Sequence, residues 1–127
     1  MDRVVHFEIP ADDVSRATEF YGSVFGWELQ DYEMGSGTYT IVRTVPVDER
    51  QMPTEPGAIN GGLMPRSPAA PHPVITIQVD SIDEALKKVE AGGGSVVTPR
   101  TEVPNMGWFA YFKDSEGNTM GLWESSV

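Results

Sequence analysis

The chain has 127 residues, 39% of them apolar, enough for one domain-sized core but hardly for two independent ones. Nineteen acidic residues against nine basic ones give a net charge of −10, which argues against a nucleic-acid or anionic-membrane surface, because both need clustered cations. There is no cysteine, so a disulfide framework, a thiolate metal site and a cysteine nucleophile are excluded.

A reducing, cytoplasmic location is expected, and no apolar run is long enough for a signal peptide or a membrane helix. Only three lysines (Lys87, Lys88, Lys113) accompany the acids. That balance fits a carboxylate-rich surface in a high-salt cytoplasm, or an ordinary acidic protein.

Residues Arg3 to Ile9 alternate and meet Pro10, so they read as a strand with Val5, Phe7 and Ile9 on one face and Val4, His6 and Glu8 on the other. Asp12 or Asp13 offers an N-cap, and Val14, Ala17, Tyr21 and Val24 recur at helical spacing until Gly26. Phe7, Phe20 and Phe25 are expected in the core beneath that helix. Trp27–Tyr32 and Tyr39–Arg43 read as a hairpin around a glycine-containing turn at Met34–Gly37. Thr44 to Gly57, with three prolines and little periodicity, is a loop long enough to be a lid or a disordered segment. Ala58 to Met64 returns as a short strand marked by Gly61-Gly62, where a ligand or another backbone approaches closely. Residues 65–73, with four prolines, form a linker.

Val74 to Val79 is the next strand, followed by Ser81-Ile82-Asp83-Glu84, a capping box opening a helix with Ile82, Ala85, Leu86 and Val89 on one stripe. The helix stops at Gly92-Gly93-Gly94. Ser95 to Thr98 reads as a short strand before Pro99, and Gly107–Lys113 and Asn118–Glu124 as two strands around Asp114-Ser115-Glu116-Gly117. With Gly117 in a left-handed bulge, Asp114 pairs with Asn118, Tyr111 lies opposite Gly121 and Phe109 opposite Trp123. A one-residue slip would substitute Trp108, Ala110 and Phe112.

The chain contains itself twice. Val5 through Ala17 slides onto Pro73 through Ala85 without a gap: Phe7 meets Ile75, Ile9 meets Ile77, Asp12 meets Asp80, Val14 meets Ile82 and Ala17 meets Ala85. Each copy is β-α-β-β-β, at about 3–65 and 74–125, within one domain, 1–127. His6 has no counterpart histidine; it meets Val74.

Val5-His6-Phe7 before Asp12-Asp13-Val14, Phe20-Tyr21, Phe25-Gly26-Trp27 and Asp114-Ser115-Glu116-Gly117-Asn118, in that order, resemble the vicinal oxygen chelate superfamily of glyoxalase I, extradiol dioxygenases and bleomycin and fosfomycin resistance proteins. The resemblance covers nearly the whole chain. It implies an α+β fold in which tandem βαβββ modules curve a mixed sheet around a cleft, often completed by dimerisation. In the metal enzymes of that family one divalent ion is held by residues from the first and last strand of each module. Carried over, those places fall on His6, about Gly62, Val74 and Gly121, of which only His6 can bind a metal. A catalytic ion generally takes three protein ligands, so no metal and no cofactor is expected.

Replacement of ligands by Gly62 and Gly121 should widen the cleft. Glu8 beside His6 is the candidate acid–base pair or polar anchor. His72 reads as an exposed linker histidine, and Glu124 as a solvated strand-end residue. Phe109, Tyr111 and Trp123 should wall the cleft, with Trp108 capping its mouth. The expected function is metal-free small-molecule binding of the sequestration or resistance type, with His6, Glu8, Gly62, Trp108, Phe109, Tyr111, Gly121 and Trp123 around a planar or aromatic ligand, in a homodimer. The alternative is a lyase or dioxygenase-type enzyme, using an unrecognised divalent-metal site or the His6/Glu8 pair.

Overall fold

The computed structural model describes residues 1–33 and 38–126, so the turn expected at Met34–Gly37 lies outside the described residues. In chain order the elements are β1 (Arg3–Ala11), α1 (Val14–Phe25), β2 (Glu28–Glu33), β3 (Thr38–Arg43), β4 (Gly61–Pro65), β5 (Val74–Gln78), α2 (Ile82–Ala91), β6 (Ser95–Val103), β7 (Gly107–Lys113) and β8 (Thr119–Ser125). Both modules are therefore βαβββ, as the repeat requires.

The strands form one curled sheet in the order β2-β3-β4-β1-β5-β8-β7-β6. Within each module the first and last strands run parallel, β1 with β4 and β5 with β8. The antiparallel pair β1–β5 joins the modules, with His6 opposite Thr76 and Glu8 opposite Val74. Among the described residues no helix is long and apolar enough to cross a membrane.

Caps fix the helix starts. Asp13 is extended and its carboxylate accepts from the Arg16 amide at 3.0 Å; Gly26, in the left-handed region, closes α1. Ser81 caps α2 by accepting from the Glu84 amide. The Glu84 carboxylate does not complete the expected box: it takes Lys87, while the Ile82 amide donates to Glu124 from β8 at 2.9 Å. Glu124 is thus a largely buried tie between β8, α2 and Arg100, not a solvated end residue.

Three strand expectations change. Pro10 lies inside β1, opposite Met64, beyond the point where β5 pairing ends at Glu8–Val74, so its missing amide costs no ladder bond there. A register shift between Val4 and His6 pairs Val4 with Ile77, so Val4 does not share the face of His6 and Glu8. β6 runs through Pro99 to Val103, tolerated because it is an edge strand and its pairing is irregular on both sides of Thr98. The β7–β8 register matches expectation: Tyr111 opposite Gly121, Phe109 opposite Trp123, with the Asp114 amide on the Asn118 carbonyl.

The core sits on the helical side of the sheet in two clusters. Ile82 and Leu86 of α2 pack with Val79, Ala110, Phe112 and Leu122. Under α1 the cluster is Ala11, Val42 and Leu63, flanked by Phe7, Ile9, Val14, Ala17 and Tyr21. Phe20 and Phe25 are not in it; they are 54% and 58% exposed. Val14, Ala17 and Tyr21 already occupy the stripe facing the sheet. Phe20 is rotated about 100° from Tyr21, and Phe25 ends the helix, stacking on Tyr21.

Candidate functional site

The face away from the helices carries the polar chemistry. Strand pairing places Glu8, Gly62 and Ile41 in one row across β1, β4 and β3, and His6, Thr76, Gly121 and Tyr111 in another across β1, β5, β8 and β7. Phe109 and Trp123 lie one pair further along β7 and β8.

Three of these side chains, His6, Glu8 and Tyr111, form a continuous hydrogen-bonded cluster with Tyr39 of β3. The Tyr39 hydroxyl donates to Glu8 Oε2 at 3.0 Å, and the Tyr111 hydroxyl donates to Glu8 Oε1. His6 Nε2 lies 3.0 Å from the same Tyr39 oxygen. His6 and Glu8 therefore do not meet directly; Tyr39 bridges them. With Tyr39 donating to an ionised Glu8, His6 Nε2 must carry the proton it shares with Tyr39, which leaves Nδ1 as an acceptor.

Burial controls the electrostatics. It lowers the His6 pKa to about 4, so the imidazole is neutral near pH 7. It raises the Glu8 carboxyl above the usual range, opposed by the hydrogen bonds from Tyr111 and Tyr39. Both tyrosines are pushed upward, by burial first and then by the charge of Glu8, and stay protonated donors.

Gly62 does not widen the cleft. A side chain there would run into the Tyr39 hydroxyl and ring, so Tyr39 occupies that volume. At Gly121 an added Cβ would lie 2.7 Å from Thr76 Oγ1 and 3.3 Å from Val74 Cγ1. The residues present do not fit a divalent ion of the kind the resemblance implies. Of the four carried-over positions only His6 offers a donor, a tyrosine fills the place of the fourth-strand ligand, and among the described residues no three His, Cys, Asp or Glu gather around a point.

The remaining expected residues divide by face. Phe109 and Tyr111 meet edge to face at 5.6 Å, and both are half-buried, as is Trp123. Trp108 is opposite Glu124 and packs on the α2 core, with Arg100 4.0 Å above its ring; it faces away from Phe109 and Tyr111 and does not cap the cleft. His72 is exposed in the linker.

Sequence reasoning missed Tyr39 and Thr76. The signal for Tyr39 was its place two residues before Ile41 on the strand beside Gly62, where an aromatic side chain can lean over a glycine.

Three comparisons place the chain among known proteins. CFP32 of Mycobacterium tuberculosis is 30% identical over 126 residues, covering 94% of this chain and 44% of CFP32. The anthracycline biosynthesis protein DnrV of Streptomyces peucetius is 27% identical over 133 residues, covering 95% of this chain and 46% of DnrV. This chain thus spans less than half the length of either. The methylmalonyl-CoA epimerase structure of Streptomyces coelicolor superposes with a TM-score of 0.68 at 17% identity, covering 98% of both chains, which shows the shared fold. The family model for the Glyoxalase/Bleomycin resistance protein/Dioxygenase superfamily matches residues 3–122, and the chain belongs to that superfamily.

Proposed function

We propose that this domain binds a small planar or aromatic molecule in its cleft without a divalent ion, using Phe109 and Trp123 as walls and Glu8 as the polar anchor. The supporting observation is the Glu8 cluster. A carboxyl group held by two tyrosine hydroxyls and linked to a neutral imidazole stands on the sheet face opposite the helices, beside half-exposed aromatic rings. Partly apolar walls with a few oriented polar groups suit a ligand that stacks and offers a hydroxyl or amide donor. The similarity to a protein of anthracycline biosynthesis supports a polycyclic aromatic ligand.

The test is a thermal-shift and tryptophan-fluorescence screen of chelator-treated protein against planar phenols and quinones. At a ligand concentration of 100 Kd, binding should stabilise the fold by about 2.7 kcal/mol, and Trp123→Ala should remove the response. A response that appears only after a divalent ion is restored contradicts the proposal.

One observation favours a second reading, metal-free acid–base chemistry. Glu8, Tyr39 and His6 form an unbroken chain along which a proton can pass. Exchange of an acidic C–H of a bound ligand with deuterated solvent, abolished by Glu8→Gln, would establish it.

A further inference from the structure

We propose that Arg43 forms a second polar subsite on the cleft face, one that takes the carboxylate of an aromatic acid; this rests on the cleft reading above and names the other end of the ligand. Tyr39, Ile41 and Arg43 alternate along β3 on the face that carries Glu8, because Ile41 stands opposite Gly62 and Gly62 opposite Glu8. At the β2 side of that face an open hollow of about 290 Å³ is lined by Glu28, Leu29, Gln30, Ile41 and Arg43. An apolar step, Ile41, thus separates the Glu8 cluster from a guanidinium.

What marks Arg43 is its company. In a chain with nineteen acidic and nine basic residues, the ion pairs among the described residues are Arg66–Asp12, Lys87–Glu84 and Arg100–Glu124, and Arg43 is in none of them. Glu28 is its register partner on β2, yet the guanidinium turns to two neutral amide oxygens, Gln30 Oε1 at 3.4 Å and Gln51 Oε1 at 3.1 Å. Gln51 comes from a tight turn in which the Asp48 carboxylate accepts from the Arg50 and Met52 amides and Gln51 itself takes a left-handed φ of 63°. A half-buried guanidinium held by neutral carbonyls keeps its charge unneutralised and its planar fork in place, and a carboxylate can engage two of its N–H groups at once. Rotating either glutamine amide turns an acceptor into a donor toward the same anion. A carboxylate suits the hollow better than a phosphate, because the net charge of −10 and Glu28 in the lining resist a dianion. Arg43 and Glu8 stand on strands separated by β4, roughly 10 Å apart at the backbone, so a ligand that reaches both carries its donor and its carboxylate at opposite ends of a ring system.

Isothermal titration calorimetry of the full chain with a hydroxynaphthoate and with the matching neutral hydroxynaphthamide tests this. Wild type should bind the acid at least tenfold more tightly than the amide, and that preference should shrink as salt is raised. Arg43→Gln should abolish the preference and leave the affinity for the amide unchanged. Arg43→Lys should restore part of it, and Glu28→Gln should increase it. An acid no tighter than the amide on wild type overturns the proposal, and so does an Arg43→Gln variant that keeps the preference or weakens both probes alike. The wild-type salt series decides the matter even where a variant fails to fold. Those outcomes leave the cleft reading standing, since the amide still binds; a wild type that binds neither probe overturns both.

Discussion

The two modules share a path but divide the work. The second is the better packed: α2 presses a fully buried Ile82 into a cluster of strand residues, and Glu124 fastens β8 to both α2 and β6. The first buries less beneath its helix but contributes His6, Glu8 and Tyr39 to the cleft and an aromatic surface to solvent. The second module adds Tyr111 to that cluster, so the polar cluster is built across both halves although the packing beneath the two helices is unequal. The pseudo-symmetry does not extend to the tyrosines. In the first module Ile41 stands opposite Gly62 and Tyr39 two residues before it; in the second Tyr111 stands opposite Gly121 and Phe109 two residues before it. Each module supplies one hydroxyl to Glu8, but from non-equivalent positions.

The largest difference between the modules should appear in their cores. Ile82→Ala should cost about 2–5 kcal/mol by urea unfolding, and Phe20→Ala no more than about 0.5 kcal/mol. Equal costs would erase the contrast. Next is the complementarity of Tyr39 and Gly62. Gly62→Ala should destabilise the wild type and become nearly neutral in a Tyr39→Ala background, giving a coupling of about 0.5–3 kcal/mol in a double-mutant cycle. Additive effects would show that Tyr39 does not fill that space.

Tyr39→Phe keeps the ring but removes the bridge, leaving Glu8 and His6 each short of a partner. A loss of about 1–3 kcal/mol is expected. The smallest effect is on pH dependence. Because His6 titrates near 4 when folded and near 6.5 when unfolded, the unfolded chain binds the extra proton between those values. Its contribution is complete above about pH 6.5 and is lost as pH falls through 4. The raised Glu8 carboxyl acts in the opposite direction, losing stability as pH rises through its folded value. Comparing wild type with His6→Asn isolates the histidine, and the difference between pH 7 and pH 4 should be about 1–2 kcal/mol, allowing for partial exposure.

Most of the fold was legible because duplication repeats its signals: two helix caps, two apolar stripes and the Gly62-Leu63 and Gly121-Leu122 pairs all point to one arrangement. Alternation and the Gly117 bulge also set the β7–β8 register. What failed was tertiary. The burial of Phe20 and Phe25 depended on how α1 seats on the sheet, which helical spacing does not specify. The face of Val4 depended on a bulge, and that of Trp108 on the strand pairing that turns it toward α2. At the site, His6, Glu8 and Tyr111 could be read from strand positions, but Tyr39 could not be assigned until β3 was known to lie beside Gly62. Reading the glycine as open space overlooked the neighbour that fills it.

The central claim is that a tyrosine–carboxyl–histidine cluster, and not a divalent ion, organises the cleft. Elemental analysis of protein purified without chelator, paired with thermal unfolding before and after chelation, tests it most directly. The account predicts far less than one equivalent of any divalent metal and an unchanged Tm. One tightly held equivalent, whose removal lowers the Tm, would contradict it.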